Sequence, residues 1–331
     1  MSGVMADQDV SQAVGVSQFG GPEVLEIFDH PVPVPSPDEA LIEVTAATVN
    51  PTDVLLRSGA QAEMLRHSSP PYIPGMEVSG VVTTLGRPSN RLAVGEMVIA
   101  IVDPIGPRGG AQARHICVPV DSVVRAPRGL DYFSAATIPM NGLTAMLALD
   151  YGALEPGSTL LVTGAVGAVG GYVVQLATAA GIRVIADASP ADEQLVRDLG
   201  ADVIAPRGAG FIASVRAAAP EGVDAIVDGA TLGAAIDSLL MDDGIHVYLR
   251  AWGDSEANTD RIRRRRVAVR EHVRDTERLL ELVTSAEEGA LTPRVSQILP
   301  MRRAAEAHRL IEGGGQRGRL VLDMKSEAGG D

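Results

Sequence analysis

Cysteine is almost missing: Cys117 is the only one in 331 residues. One thiol cannot close an internal disulfide or build a cysteine-rich zinc site. It sits in the apolar stretch His115-Ile116-Cys117-Val118 and reads as a small buried hydrophobe rather than a nucleophile. Aromatic residues make up only 3% of the chain, too few for base-stacking platforms. Excess positive charge is lacking too. The formal net charge is −14, the opposite of what phosphate neutralisation needs, so nucleic acid is not an expected partner. No apolar run approaches the roughly 20 residues of a membrane helix, so no membrane partner is expected. Met1 to Val10 has neither the basic nor the apolar region of a secretion signal, and the expected compartment is the cytoplasm.

What is present fits a globular chain of about two domains. Hydrophobic residues make up 46% and charged residues 21%, enough to fill two cores, and 36 glycines suit a chain with many tight turns. From Val14 to Ala126 short alternating strands are broken by Pro and Gly, as in Ala40 to Val44, Val78 to Val82 and Met97 to Ile101. This predicts a β-rich, partly barrel-like unit. Pro31 to Pro35, with proline at every second position, is expected to be extended edge or loop.

After Asp131 the rhythm changes. Apolar runs at Thr159 to Thr163, Arg183 to Asp187, Asp202 to Ala205, Ala225 to Asp228 and Ile245 to Leu249 alternate with helix-compatible stretches. Those stretches are Ala168 to Ala180, Pro190 to Leu199, Gly210 to Ala219 and Leu232 to Met241. The alternation predicts an α/β fold, a Rossmann-type doubly wound parallel sheet with helices on both faces. The section from Asp275 to Met324 reads as two helices and a final strand at Arg319 to Leu322, with a disordered tail after Lys325.

The most informative segment follows the first of those runs. Leu160-Leu161-Val162 feeds into Gly164-Ala165-Val166-Gly167-Ala168-Val169-Gly170, and an amphipathic helix begins there. In the dinucleotide fingerprint the first position turns the chain, the second admits a pyrophosphate to the backbone, and the third lets helix pack on strand. Ala165, Gly167 and Gly170 take these places, with Ala for the first Gly. Gly164, Ala168 and Val169 complete the candidate cofactor-binding turn. The helix N-terminus offers N–H groups and partial positive charge to the phosphates. The flanking strand and helix make the turn more specific than a glycine string alone.

With this turn go further ordered motifs: Phe19 to Leu25, Val49-Asn50-Pro51-Thr52-Asp53 before Arg57-Ser58-Gly59, Ile73 to Gly80, Asn141-Gly142-Leu143-Thr144-Ala145, Leu199 to Asp202, and Gly318 to Leu322. Together they resemble the medium-chain dehydrogenase/reductase superfamily, in its zinc-independent quinone oxidoreductase (zeta-crystallin-like) branch. The resemblance implies a split groES-like catalytic domain, residues 1–128 and 273–331, around a Rossmann domain at 129–272. It implies that the cofactor lies between the two, and that homodimers form through the edges of the cofactor sheets. Zinc enzymes of the superfamily have Cys where Asn50 stands and His where Met76 stands, so no zinc is expected and no residue is named as a metal ligand.

Without a metal, the chemistry expected is hydride transfer from a dihydronicotinamide to a small electron-poor acceptor, a quinone or an α,β-unsaturated carbonyl. By the likeness, Asn50, Asp53 and Thr144 are the catalytic candidates. Asn50 could donate to a carboxamide or a developing oxyanion, and the other two lie near the nicotinamide end. The plainer reading of Asn50 and Asp53 is a turn held by Asx hydrogen bonds. Some relatives have a Tyr where this chain has Leu55-Leu56; Tyr72 and His67 are other candidates for proton delivery. Arg319, in the closing motif, is a further cofactor-binding candidate.

The choice between NADPH and NADH pulls both ways. Asp187 lies at the distance from Gly167 where an acid would hold a ribose 2′-OH and repel a 2′-phosphate. The register of NADPH-using relatives instead puts Ala188 and Ser189 at the ribose, which favours NADPH with NADH possible. Many of those relatives have a Lys where this chain has Glu193; Arg197 or Arg207 could substitute.

Arg261, Arg263, Arg264, Arg265, Arg266, Arg270 and Arg274 form a basic run. It reads either as a landing strip for a phosphorylated acyl carrier or as an exposed edge strand whose arginines stay wet while Val267 and Val269 turn inward. Three functions therefore compete: a quinone or enone reductase, an enoyl-thioester reductase on coenzyme A or a carrier protein, and a non-catalytic dinucleotide-binding protein. The acceptor's shape is expected to be set by loops such as Gly59 to Pro71 and Trp252 to Asn258.

Overall fold

The computed structural model describes residues 10–250 and 258–326. Most of the loop Trp252 to Asn258 and the end of the tail after Lys325 lie outside the described residues. The chain divides into two compact units. One comprises Met1–Met140, Val273–Thr284 and Pro293–Asp331, and the other Asn141–His272 and Ser285–Thr292. The sequence puts the changes at 128/129 and 272/273. Residues 129–140 instead stay with the first unit, because Tyr132 and Phe133 pack on Ala46, Ala136 and Val321, and Ser79 Oγ donates to the Tyr132 carbonyl at 2.5 Å.

The first unit opens with a hairpin, β1 (Val10–Val16) and β2 (Leu25–Pro31), paired antiparallel. Then follow β3 (Glu39–Val49), helix α1 (Pro51–Ser58), β4 (Glu77–Leu85), β5 (Met97–Ile101), β6 (His115–Pro119), β7 (Val123–Arg125) and the one-turn α2 (Tyr132–Ala135). β3 is the spine, pairing β4 on one side and both β6 and a C-terminal strand on the other, and nearly every residue along it is buried. Its Ala and Val side chains allow both faces to be covered.

The second unit begins in α3 (Pro139–Gly152) and alternates β8 (Thr159–Thr163), α4 (Ala168–Ala179), β9 (Arg183–Ala188), α5 (Glu193–Asp198), β10 (Val203–Pro206), α6 (Phe211–Ala218), β11 (Val223–Asp228), β12 (Leu240–Tyr248) and β13 (Ile262–Arg266). All six strands are parallel, in the order β10-β9-β8-β11-β12-β13. The chain runs outward from β8 to β10, then crosses back to β11 on the other side of β8. The strand order therefore reverses between β8 and β11, where open α/β sheets take their ligands.

One expected helix is absent. Leu232 to Met241 is instead a short 3-10 segment, Gly233–Leu239, and the strand starts at Leu240. The reason lies at its start, where Gly233 has φ +59° and its amide is tied to the Asp228 carboxylate. Leu240 is then drawn into register with Val223.

The C-terminal section supplies α7 (Thr276–Glu287), β14 (Val295–Pro300), α8 (Ala304–Gly313) and β15 (Arg319–Asp323). β14 was not apparent in the sequence. It pairs parallel with β15, which pairs antiparallel with β3, completing a seven-stranded sheet over one continuous apolar core from Ala13 to Met324.

Candidate functional site

In the second unit, β8 ends at Thr163, and Gly164 turns the chain at φ +71°, a conformation that suits glycine. A Cβ on Gly170 would lie 2.3 Å from the Gly164 carbonyl oxygen, so only glycine lets α4 start this close to the strand exit. Gly167 is extended and stands just before the helix, and Gly171 is the first amide to bond back, to Gly167 O at 3.0 Å. The amides of Ala168, Val169 and Gly170 have no earlier helical carbonyl to donate to, which makes a cradle for an anion.

Asp187, near the end of β9, is almost wholly buried and turned back toward this loop. Its Oδ1 accepts the Ala165 amide at 3.0 Å and its Oδ2 accepts Arg207 Nε at 2.6 Å. The Arg207 amide donates to the Ala188 carbonyl at 3.1 Å, fixing that arginine beside the strand end. Ser189 Oγ donates to Asp192 at 2.6 Å. Glu193 and Arg197 form an exposed pair at 3.7 Å.

Across the strand-order reversal, Asp228 stands in register with Thr163. Its Oδ1 accepts from Thr163 Oγ1 at 2.6 Å and its Oδ2 from the Gly233 amide at 2.8 Å. Burial pushes its pKa up, but the nearby His246 ring, the Thr163 hydroxyl and the Gly233 and Leu232 amides outweigh that and hold it at about 2. Thr144 lies in the same unit, on α3, and is 7% exposed.

In the first unit, Asn50 and Asp53 start α1. Asn50 is extended, Pro51 follows it, the Asn50 amide donates to Asp53 Oδ2 at 2.9 Å, and Gly59 closes the helix at φ +83°. Asp53 Oδ1 accepts the Gly75 amide at 3.0 Å and Oδ2 accepts Gln112 Nε2 at 3.2 Å. Arg319 Nη2 lies 2.7 Å from Glu77 Oε1, 2.5 Å from Asn50 Oδ1 and 2.9 Å from Thr48 Oγ1. Asn50 Nδ2 donates to Thr48 Oγ1 at 3.1 Å, and Glu77 also accepts from Thr48 Oγ1 (2.8 Å) and the Met140 amide (2.8 Å). Burial pushes Asp53 up to about 7, only partly offset by the Asn50 and Gly75 amides and by Arg319, while Glu77 adds repulsion. Burial also raises Glu77, against the pull of Arg319.

Asn50, Asp53 and Glu77 are all 0% exposed and Arg319 is 5% exposed. These groups hold the loop around Gly75 and the start of α1, and their polar atoms are spent on one another. At the position of a zinc-binding histidine, Met76 is buried, and its sulfur accepts from Thr52 Oγ1 at 3.2 Å. An amide and a thioether, both engaged internally, do not fit a zinc ion. Among the described residues, no group of three or more His, Cys, Asp or Glu could hold a metal. Tyr72 stacks on Phe19 with centroids 5.4 Å apart, and His67 is exposed, its Nε2 accepting from Arg66 Nε at 3.0 Å.

The structure thus gathers the glycine turn, Asp187, Ser189 and Thr144 in one unit, and Asn50, Asp53 and Arg319 in the other. It adds Thr48, Glu77 and Gln112 to the second group, and Thr163 and Asp228 to the first. Of the basic run, Arg264 is not solvated: its guanidinium is buried against Asp237. Arg261 and Arg263 donate to the carbonyls of Leu240, Asp237 and Asp243.

Residues 36–128 match the model of the alcohol dehydrogenase GroES-like domain, and residues 199–322 match that of the zinc-binding dehydrogenases. The quinone oxidoreductase of Sus scrofa is 30% identical over 95% of this chain and 98% of its own. This chain belongs to the medium-chain dehydrogenase/reductase superfamily, in its quinone oxidoreductase branch. Among solved members, the quinone oxidoreductase from Coxiella burnetii superposes with a TM-score of 0.84, at 28% identity over 95% of this chain and 99% of that one. A mycobacterial protein solved in complex with NADPH gives 0.81 at 29% identity, over 94% and 99%. As a member of this superfamily the chain is a nicotinamide-dependent oxidoreductase with a Rossmann-type sheet and a GroES-like domain. No helix among the described residues is long and apolar enough to cross a membrane.

Proposed function

We propose that this reductase uses NADPH, without zinc, to deliver hydride to a small electron-poor acceptor, a quinone or a C=C bond conjugated to a carbonyl. The observation that carries the reading is the Asp187–Arg207 pair. Asp187, which would repel a 2′-phosphate, is paired with Arg207 through Nε, and the half-exposed guanidinium of Arg207 stands at the strand end, where it can meet an anion. The zinc-free part rests on Asn50 and Met76, whose polar atoms are engaged internally. When bound, the dihydronicotinamide supplies the hydride. The protein contributes binding at the α4 N-terminus, with Thr144 toward the nicotinamide ribose. Asn50 and Asp53 act as buried positioning groups at the start of α1, and Arg319 acts through the same cluster.

An enoyl-thioester substrate would call on the basic run as a continuous strip, and the burial of Arg264 interrupts it. β13 ends its sheet, and its open edge is where we place the partner copy of a homodimer. The test is oxidation of NADPH and NADH by a panel of quinones, enones and enoyl thioesters, with and without a chelator. We expect NADPH to be used at least tenfold more efficiently than NADH, by kcat/KM, with the chelator having no effect. Activity only after zinc is added would overturn the zinc-free reading. Binding without turnover of any acceptor would leave a dinucleotide-binding protein rather than a reductase.

A further inference from the structure

The turn after β11 is held unusually firmly. Thr231 takes φ +59°, a strained conformation for a β-branched residue, which persists only where the surroundings enforce it. The enforcement is visible. The Gly229 amide donates to Thr163 O at 3.1 Å, the Ala230 amide to Thr163 Oγ1 at 3.1 Å, and the Gly233 amide to Asp228. A Cβ on Gly229 would lie 2.7 Å from Thr163 O, and one on Gly164 would lie 3.0 Å from Gly229 C. The two turns that flank the strand-order reversal therefore touch backbone to backbone.

Behind Asp228 the polar chain continues. His246 on β12 puts Nε2 3.7 Å from Asp228 Oδ2 and Nδ1 2.7 Å from Asp237 Oδ1. Asp237 in turn pairs with the buried guanidinium of Arg264 on the edge strand. Thr163, Asp228 and His246 are at most 1% exposed. A largely buried line of polar groups, hydrogen-bonded except at the 3.7 Å step from Asp228 to His246, therefore runs from the exit of β8 to β13.

We propose that Asp228 is a positioning residue for the nicotinamide dinucleotide. It fixes the 229–233 turn against the glycine-rich turn as the second wall of the cofactor site, braced by His246, Asp237 and Arg264. This rests on the dinucleotide-binding reading above. Asp228 touches no reacting atom; it acts through the turn it holds. Losing it lets the turn relax from the strained Thr231 conformation, so that binding must first restore that conformation.

The test is NADPH affinity by fluorescence titration, with steady-state kinetics on an accepted quinone or enone and melting temperatures with and without NADPH. For Asp228→Asn we expect the Kd and KM for NADPH to rise about tenfold, with kcat at saturating NADPH within about threefold of the parent. For Asp237→Asn a rise of about threefold is expected. The rise in melting temperature that saturating NADPH gives should shrink in both, an effect that simple loss of stability would not produce. Thr163→Val, which removes only the bridging hydroxyl, decides the matter if Asp228→Asn fails to fold, with an expected rise of about threefold to fivefold. Parent protein that binds neither NADPH nor NADH would overturn the dinucleotide reading itself. Parent protein that binds while the variants bind equally well, or lose kcat at unchanged KM, would overturn this inference alone.

Discussion

In the first unit Asp53 and Glu77 lie in the field of one arginine, Arg319, whereas in the second Asp228 and Asp237 stand on either side of His246, with Arg264 beyond. Asp53 and Asp228 are both out of water, yet they titrate in opposite directions. Asp53 is pushed up to about 7, because burial outweighs its amide donors and Glu77 adds repulsion. Asp228 is held at about 2, because His246, a hydroxyl and two backbone amides together outweigh burial. Burial alone therefore does not decide the charge state of an inner carboxylate. The number of donors it commands, and what separates it from the next acid, do.

The sharpest way to break this comparison is to remove each arginine. Arg319→Met leaves Glu77 buried without its counter-charge, and we expect a loss of about 3–5 kcal/mol in urea unfolding at pH 8, without cofactor. Arg264→Met should cost less, about 1–3 kcal/mol, because His246 still stands beside Asp237, which is 13% exposed. Equal losses in the two variants would mean that the histidine does nothing for its neighbours.

Much of the architecture was legible beforehand, and the reasons are local. The strands of the parallel sheet are apolar runs, and the cofactor turn is written in glycines three residues apart between one such run and a helix. The apolar spacing of the 3-10 segment at Gly233 suits an α-helix equally well, and the deciding bond to Asp228 comes from outside the segment. The buried groups were legible only in part. Asn50, Asp53 and Arg319 could be named one by one, but their union depends on β3 pairing with β4 and, from more than 200 residues away, with β15. Nothing near Glu77 or Gln112 in the sequence announces Asp53 or Arg319 as a neighbour. Asp228 did carry a signal, as the acid closing the apolar run parallel to the one before the glycine turn. His246 and the inward turn of Arg264 had none, because a strand's pattern of inside and outside is fixed by its partners.

The pH dependence of Asp53 gives the next largest effect. Its folded pKa lies above the ordinary value of 3.8, so the folded protein holds this proton more tightly than the unfolded chain does. The stability it contributes is whole below about pH 3.8 and is lost as pH rises through about 7. At about 1.4 kcal/mol per unit, the loss is at most about 4 kcal/mol. Asp53→Asn should flatten the decline between pH 4 and 8 measured by urea unfolding, whatever its effect on absolute stability. Part of the slope should remain, since Glu77 is shifted the same way. A variant that retains the full parental slope would show that Asp53 is ionised throughout.

Asp228 should give the smaller effect, with the opposite sign. Its folded pKa of about 2 lies below 3.8, so its contribution is whole above about pH 3.8 and is lost as pH falls through about 2. Two units correspond to at most about 3 kcal/mol. His308 also weakens the fold in acid: burial, and then the charge of Arg57, lower it from 6.5 to about 3, so its contribution is lost as pH falls from about 6.5 toward 3. Both losses appear in the parent protein, but only one should disappear in Asp228→Asn. Subtracting the variant's stability curve from the parent's should therefore leave a difference that is constant above pH 4.5 and falls below it. A difference that already falls between pH 6.5 and 4.5 would mean that groups other than Asp228 itself contribute to the difference. A difference constant down to pH 2 would mean that the hydrogen bonds from Thr163 and Gly233 do not hold Asp228 in its charged form.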